Sequence, residues 1–260
     1  MTNAVLLTSA YLAPVQYYTK IYAADCVVEE RHDHYVKQTY RNRCVIAGPG
    51  GPLPLTVPVE NRPSPHTPTC DVRISDHGNW RHLHWQALTS AYENSPYFEY
   101  YADDFRHFYE RRFDFLVDFN DGLRRTVCAL LALDTPVITT ASYLDASAGE
   151  GRLIEMTGRL IEKSGRLTEK SGRLTELTGR LTEGTGAESG LAVTDLRESI
   201  RPKQSYEADT AFSAVPYYQV FAQRQGFLPN LSIVDLLFNM GPEARLVLRD
   251  GCVASAMPVS

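Results

Sequence analysis

An apolar triplet, a helix-period segment and a second apolar triplet fill the start of the chain, and this order constrains the fold more than any other feature. Val5-Leu6-Leu7 reads as a short buried strand, followed by a loop bearing Tyr11 and Pro14. From Val15 to Ala24 apolar and aromatic residues recur at helical spacing, with Tyr17, Tyr18, Ile21 and Tyr22 on the inner face. Cys26-Val27-Val28 then reads as a second strand. Strand, helix and strand in so short a span form a βαβ unit, which implies a parallel pair joined by a right-handed crossover. Ligands of open α/β sheets gather beyond the carboxyl ends of the strands. Here those ends carry Ser9 to Pro14 and Glu29 to His34.

The second of these exits leads into His34-Tyr-Val-Lys-Gln-Thr-Tyr-Arg-Asn-Arg43. Lys37, Arg41 and Arg43 supply cationic donors, Gln38 and Asn42 supply amides, and Tyr35 and Tyr40 supply rings with hydroxyls. Arginine recognises carboxylate and phosphate in bidentate fashion, while amides exchange hydrogen bonds with sugar hydroxyls. The plain alternative is structural: these cations pair with Glu29, Glu30 or Asp33, and the tyrosines pack on the core.

Further on, Cys44-Val45-Ile46 and Leu55-Thr56-Val57 flank Gly48-Pro49-Gly50-Gly51-Pro52, a hairpin by its turn chemistry. That glycine run lacks the Lys-Ser/Thr of a phosphate loop and opens no helix. Asn61 to Thr69 reads as an irregular connection and Asp71 to Ile74 as another short strand. Asn79 is placed to cap a helix whose apolar positions are Trp80, Leu83, Leu88 and Ala91, with His84 on the same inward face. Helical spacing continues over roughly 103–111 and 115–132, and Pro136 to Thr140 reads as a returning strand. Near the end, Ile233, Leu236 and Leu237 give a helix its apolar face, and Gly241-Pro242 stops it. Ser232 and Asp235 have the spacing of a capping box, with Asp in place of Glu or Gln, so both are read as capping residues.

Residues 151–185 are five tandem heptads that share Gly-Arg-Leu, then Ile or Thr, then Glu. Only one apolar position per heptad is constant, where a coiled-coil seam needs two. Four Glu-to-Arg pairs of the Glu155/Arg159 type contribute roughly 1–2 kcal/mol in all. The five heptad-leading glycines cost about 5 kcal/mol relative to alanine, so a marginal helix or a flexible excursion is expected. The chain thus reads as a single α/β domain in two parts, 1–150 and 186–260, interrupted by a heptad-repeat insert. A net charge of −5 argues against a general nucleic-acid binder. No apolar run reaches the roughly 18 residues of a membrane span, and no signal peptide is expected, so the protein reads as cytoplasmic. Five dispersed cysteines fit reduced, buried thiols.

Several blocks together resemble the WbqC-like family of bacterial proteins. They are Tyr11 to Pro14, Lys37 to Arg43, Leu55 to Val59, Asn79-Trp80 with His84-Trp85, and Asp195-Leu196-Arg197 with Pro202-Lys203. Tyr218 to Phe221 and Gly226 to Asn239 complete the set. One departure is that Ser9-Ala10 precede Tyr11 where many relatives carry a Gln-Pro pair. The fold implied is α/β with a mostly parallel sheet, flanking helices and a Rossmann-like or nucleotidyltransferase-like start. The resemblance implies a cytosolic role in surface polysaccharide (O-antigen type) biosynthesis, acting on a sugar or nucleotide-sugar intermediate. Its blocks nominate Tyr11, Lys37, Gln38, Tyr40, Arg41, Asn42, Arg43, Trp85, Arg197, Lys203 and Gln219 as ligand-binding residues.

Two reaction-level readings follow. In one the chain is a transferase of acyl, aminoacyl or similar groups, drawing on Lys37, Arg41, Arg43, His84 and Arg197 together, with His34 and His84 the first candidates for proton transfer. In the other it is a non-catalytic binding or scaffold partner of a glycan pathway. His82 and His84 do not face one another on a helix, and His32 with His34 lacks a third ligand, so no metal site is expected. The sequence identifies no cofactor and no oligomeric state. Removing residues 151–185 is expected to leave the circular dichroism spectrum, the unfolding midpoint and the size-exclusion volume per subunit unchanged. A loss of fold or of an oligomer would give the repeat a structural role instead.

Overall fold

A computed structural model describes residues 2–60, 66–145 and 191–253. The heptad repeat, its expected marginal helix and the boundaries at 150 and 186 lie outside the described residues. The opening βαβ unit is present: β1 (Thr2–Thr8), α1 (Val15–Ala23) and β2 (Cys26–Glu30). β1 and β2 pair in parallel with Val5 opposite Val27 and Thr8 opposite Glu30. After β3 (Arg43–Gly48) and β4 (Gly51–Thr56) come three longer helices, α2 (Trp80–Tyr92), α3 (Phe98–Glu110) and α4 (Leu116–Leu130). The chain then returns to the sheet as β5 (Val137–Thr139), parallel to β2.

β6 (Leu191–Asp195) pairs in parallel with the other side of β1, giving the order β5-β2-β1-β6. Sequence reasoning placed only a polar block here and missed this strand. The chain therefore winds outward from β1 in one direction as far as β5, then reappears beyond β1 as β6. That reversal is a topological switch point between β1 and β6. β3 and β4 form a separate antiparallel hairpin turning at Pro49-Gly50, as the turn residues predicted.

One face of the sheet, with Val5, Leu7 and Val27, joins the main core. The opposite face buries Leu6, Val28 and Leu144, with the half-buried Val193 packed against them. Two faces buried on alternate residues explain why β1 and β2 read as continuous apolar runs instead of alternating ones. The C-terminal elements α5 (Ala222–Gln225), α6 (Ile233–Met240) and α7 (Ala244–Asp250) complete the described chain. α6 is buried all round, with Ile233, Val234, Leu236, Leu237 and Phe238 shut off from solvent along with Asp235 and Asn239, so it is a core helix packed on α1, α2 and α3. Gly241 ends it at φ 54°, and a Cβ there would lie 2.5 Å from the Tyr97 ring.

Three local expectations are corrected. Asp71 to Ile74 is no strand: a 3-10 turn spans Thr69–Asp71, and Ile74 and Arg73 make isolated bridges to Val59 and Phe115. Asn79 precedes α2 in the left-handed region and makes no side-chain cap. Leu83 is 56% exposed, because His84 and Leu88 define the inward face and Leu83 lies off it. No described helix is long and apolar enough to cross a membrane.

α4 approaches α3 so closely at Gly122 that a Cβ would lie 2.5 Å from Cε1 of the buried Phe108 ring. Alanine ordinarily gains about 1 kcal/mol over glycine in a helix, but overpacking a buried ring costs about 1–3 kcal/mol. Gly122→Ala is thus expected to lower stability by up to about 2 kcal/mol in urea unfolding, against the direction of the propensity effect.

Candidate functional site

Because all four strands of the main sheet run the same way, their carboxyl ends meet at one edge. Adjacent strand residues point to opposite faces, and the last two of β2 are both glutamates without access to water. Each is therefore matched by guanidinium groups. Glu29 meets Arg31 at 2.6 Å and Arg124 at 3.3 Å, and Arg124 also pairs with Asp121 on its own helix. Burial alone would pull the Arg124 guanidinium down, yet Glu29 and Asp121 outweigh it and hold it above its ordinary value.

Glu30 accepts hydrogen bonds from the His32 and Leu144 amides and from Thr140 Oγ1, all at 2.8 Å, and meets Arg197 at 3.3 Å. Arg197 in turn grips Asp195 at 2.7 Å, donates to the Leu144 carbonyl at 2.7 Å and lies 5.4 Å from the Tyr143 ring. The backbone on either side of residues 145–191 is thereby tied to one carboxylate and one guanidinium.

The polar stretch from His34 to Arg43 divides. Arg41 is 2% exposed and pairs with Asp33, whose other oxygen accepts from Thr69 Oγ1 at 2.6 Å. That ion pair is the structural partnership anticipated for these cations. It leaves Arg41 Nε buried without a hydrogen-bond partner. Asn120 of α4 donates to the Arg41 carbonyl at 2.8 Å and to Ser9 Oγ at 3.1 Å, joining the exits of β1 and β2. Arg201, paired with Glu198, stands near enough to Arg41 that burial first and then the Arg41 charge depress its guanidinium; its Nε is also partnerless.

Asn42 and Arg43 are turned to the hairpin, where Asn42 Nδ2 donates to the Val57 carbonyl at 2.9 Å and Arg43 Nε to Thr56 Oγ1 at 3.1 Å. Tyr40 is half-buried, and burial pushes its phenol up to about 12. Its carbonyl accepts from the Tyr11 amide at 2.8 Å. His34, Lys37, Gln38 and Lys203 are exposed, with Gln38 at φ 59°. The His34 ring meets His66 edge-on at 5.4 Å.

His84 belongs to a different, buried group. Its ring carries a hydrogen bond to the Thr56 carbonyl, so the other nitrogen, Nδ1, accepts from Tyr11 OH at 3.0 Å. Tyr109 OH lies 2.9 Å from Tyr11 OH, and Trp85 packs beside Phe98 and Tyr109. Burial takes His84 down to about 4, so it stays neutral at physiological pH. The described contacts thus bring Arg41 and Arg197 to the strand ends, and hold Arg43 on the hairpin and His84 in an aromatic layer.

Two features escaped sequence reasoning. The first is Asp235, which is fully buried and takes no part in capping. Its carboxylate accepts from Tyr92 OH at 2.9 Å, Tyr217 OH at 2.6 Å and Gln219 Nε2 at 2.8 Å. Ser232 likewise donates to the Leu12 carbonyl at 2.7 Å instead of capping α6. Gln219 therefore serves this internal network and also pairs with both backbone groups of Leu228. The second is Cys70, half-exposed, whose Sγ lies 3.6 Å from His32 Nδ1 and 3.7 Å from Asp71 Oδ1. Among the described residues no cluster of three or more His, Cys, Asp or Glu side chains is arranged to hold a metal.

The chain belongs to the WbqC-like protein family, whose model matches residues 9–247. Among curated proteins, an uncharacterized protein of Mycobacterium tuberculosis is 25% identical over 253 residues, covering 96% of this chain and 98% of its own length. No solved structure matches.

Burial raises Asp235 to about 6 from 3.8, with the three donors opposing that rise. A carboxyl raised in the folded state binds its proton more tightly there than in the unfolded chain. Its contribution to stability is therefore largest below pH 3.8 and falls as pH rises to about 6. Two pH units correspond to roughly 3 kcal/mol. The stability difference between the wild type and Asp235→Asn should shrink by about that amount between pH 4 and 7 in urea titrations. A pH-independent difference would mean that Asp235 keeps one protonation state throughout.

Proposed function

We propose that this member of the WbqC-like family is a cytosolic enzyme that transfers an acyl, aminoacyl or similar group onto a sugar or nucleotide-sugar intermediate of surface polysaccharide biosynthesis. The observation that carries the reading is the charged layer beyond the carboxyl ends of the parallel strands. It lies at the reversal of strand order between β1 and β6, where open α/β sheets of Rossmann-like type take their ligands. There, two neighbouring guanidinium groups, Arg41 and Arg201, each keep a buried Nε without a partner. Buried donors left unpaired are costly, and an anionic substrate group satisfies them. Lys37, Gln38 and Lys203 are exposed and free to meet the outer part of a sugar ligand. Tyr11 anchors the loop after β1 through its hydrogen bonds to His84 and Tyr109, and Trp85 packs on Tyr109 behind them, so His84 acts through position and hydrogen bonding.

A second reading, a non-catalytic binding or scaffold partner in the same pathway, is favoured by one fact. The guanidinium charges of Arg41 and Arg197 are already matched by Asp33, Glu30 and Asp195.

Deleting the gene and weighing the accumulated glycans and nucleotide sugars should reveal an intermediate lacking one acyl or aminoacyl group. Complementation with Lys37→Ala/Gln38→Ala changes exposed side chains whose loss should shift stability by no more than about 0.5 kcal/mol each. That variant is expected to restore the modified glycan about tenfold less efficiently, the scale of a lost charged hydrogen bond. An unaltered glycan profile on gene deletion would overturn the enzymatic reading.

A further inference from the structure

We propose that Cys70 is a nucleophile activated by His32, and that it carries the transferred acyl group as a thioester. The proposal rests on the acyl-transfer reading above and gives it a covalent intermediate. Its first support is geometry. Residues 31–35 leave β2 and run antiparallel to residues 67–70, held by the Tyr35, Thr69 and Cys70 amides donating to the carbonyls of Thr67, Asp33 and Arg31 at 2.8–2.9 Å. This pairing sets Cys70 Sγ 3.6 Å from His32 Nδ1, within reach for proton transfer to nitrogen. The His32 backbone is fixed in turn, since its amide donates to the buried Glu30.

The second support is location. The pair sits beyond the carboxyl end of β2, on the same edge as the charged layer. Thr69, its chain neighbour, bonds to Asp33, the partner of Arg41 with its unsatisfied, buried Nε. An anionic group of a donor or acceptor bound there lies next to the thiol. The third is accessibility. Cys26, Cys44 and Cys128 are buried, and Cys252 is engaged with the Leu248 and Thr19 carbonyls. Cys70 is half-exposed and stands beside an imidazole.

The chemistry balances without a further oxidant or metal. His32 takes the Cys70 proton as sulfur forms a bond to the carbonyl carbon of an acyl thioester donor. The tetrahedral adduct collapses, the donor's C–S bond breaks, and the departing thiolate takes the proton from His32. A sugar amine or hydroxyl then attacks the Cys70 thioester and gives its proton to His32. The Cys70 C–S bond breaks, and the proton returns to sulfur. At rest, burial and the Asp71 carboxylate keep the Cys70 thiol above its ordinary value, so the sulfur stays protonated until His32 acts. Asp33 adds a smaller push the same way.

The test uses the full chain with two probes, 4-nitrophenyl acetate and iodoacetamide, read by peptide mass. One acetyl group is expected on Cys70, absent from Cys70→Ala. In His32→Gln, with the thermal unfolding midpoint unchanged, acetylation and alkylation of Cys70 should slow at least about tenfold, the effect of one pH unit of thiol activation. Asp71→Asn should speed alkylation; loosening of the loop would speed it in both variants, so slowing in one and speeding in the other separates activation from exposure. Equal Cys70 rates in wild type and His32→Gln, or acetyl transfer only to Cys252, would overturn the proposal. In the gene-deletion strain, full rescue of the glycan by Cys70→Ala would remove the nucleophile and leave the transferase reading standing. Conversely, a His32-dependent acetyl-Cys70 with an unaltered glycan on gene deletion would keep the dyad and remove the pathway.

Discussion

A glutamate side chain shut away from water at the end of β2 is the interaction on which this architecture turns. An unpaired carboxylate in such a place would cost several kcal/mol or would not stay ionised. Glu30 meets the demand with four partners drawn from three separate parts of the chain: the His32 amide, Thr140 and Leu144, and Arg197. Those parts are the exits of β2, β5 and β6. One desolvated charge therefore positions three loops around the same edge. Glu29, its neighbour on the opposite face, does the same for α4 through Arg124. The sheet is held by strand pairing and apolar packing, whereas the arrangement beyond its ends is electrostatic.

This division explains what was legible in the sequence. The βαβ opening, the hairpin, β5 and the longer helices were visible because their signals are local, carried by period, turn residues and apolar runs. β6 was missed because Leu191 to Asp195 is short and follows directly on a repetitive, glycine-rich tract. Ser232 and Asp235 showed the spacing of a cap, but spacing cannot reveal that Tyr92 and Tyr217 compete for the same carboxylate from other segments. Arg41 stood out as a binding residue by type. Its pairing with Asp33 was anticipated as an alternative, and only the folded chain shows that the ion pair forms.

The candidate site was legible at the level of the edge and illegible at the level of partners. Counting forward from β1 and β2 located the loops, since a parallel pair puts its exits together. His32 and Cys70 lie 38 residues apart in the chain, and the sequence drew attention to His32 only as half of a His-x-His pair. His84 was rightly placed on an inward face, but its environment of Tyr11, Tyr109 and Trp80 makes it a neutral acceptor inside an aromatic layer. Residue type drew attention to both histidines, and burial separates them: His32 stays half-exposed at the strand-end edge, while His84 is shut inside.

The Arg197 clasp concentrates several fastenings in one side chain. Leu144 and Asp195 are held by the same guanidinium, and β5 and β6 lie on opposite edges of the sheet. Because Glu30 leans on that guanidinium too, loss of this one arginine would strip a donor from a buried carboxylate, a second carboxylate and a backbone carbonyl at once. The two outer exits of the sheet are therefore fastened together or released together, with no intermediate arrangement in which only one of them lets go.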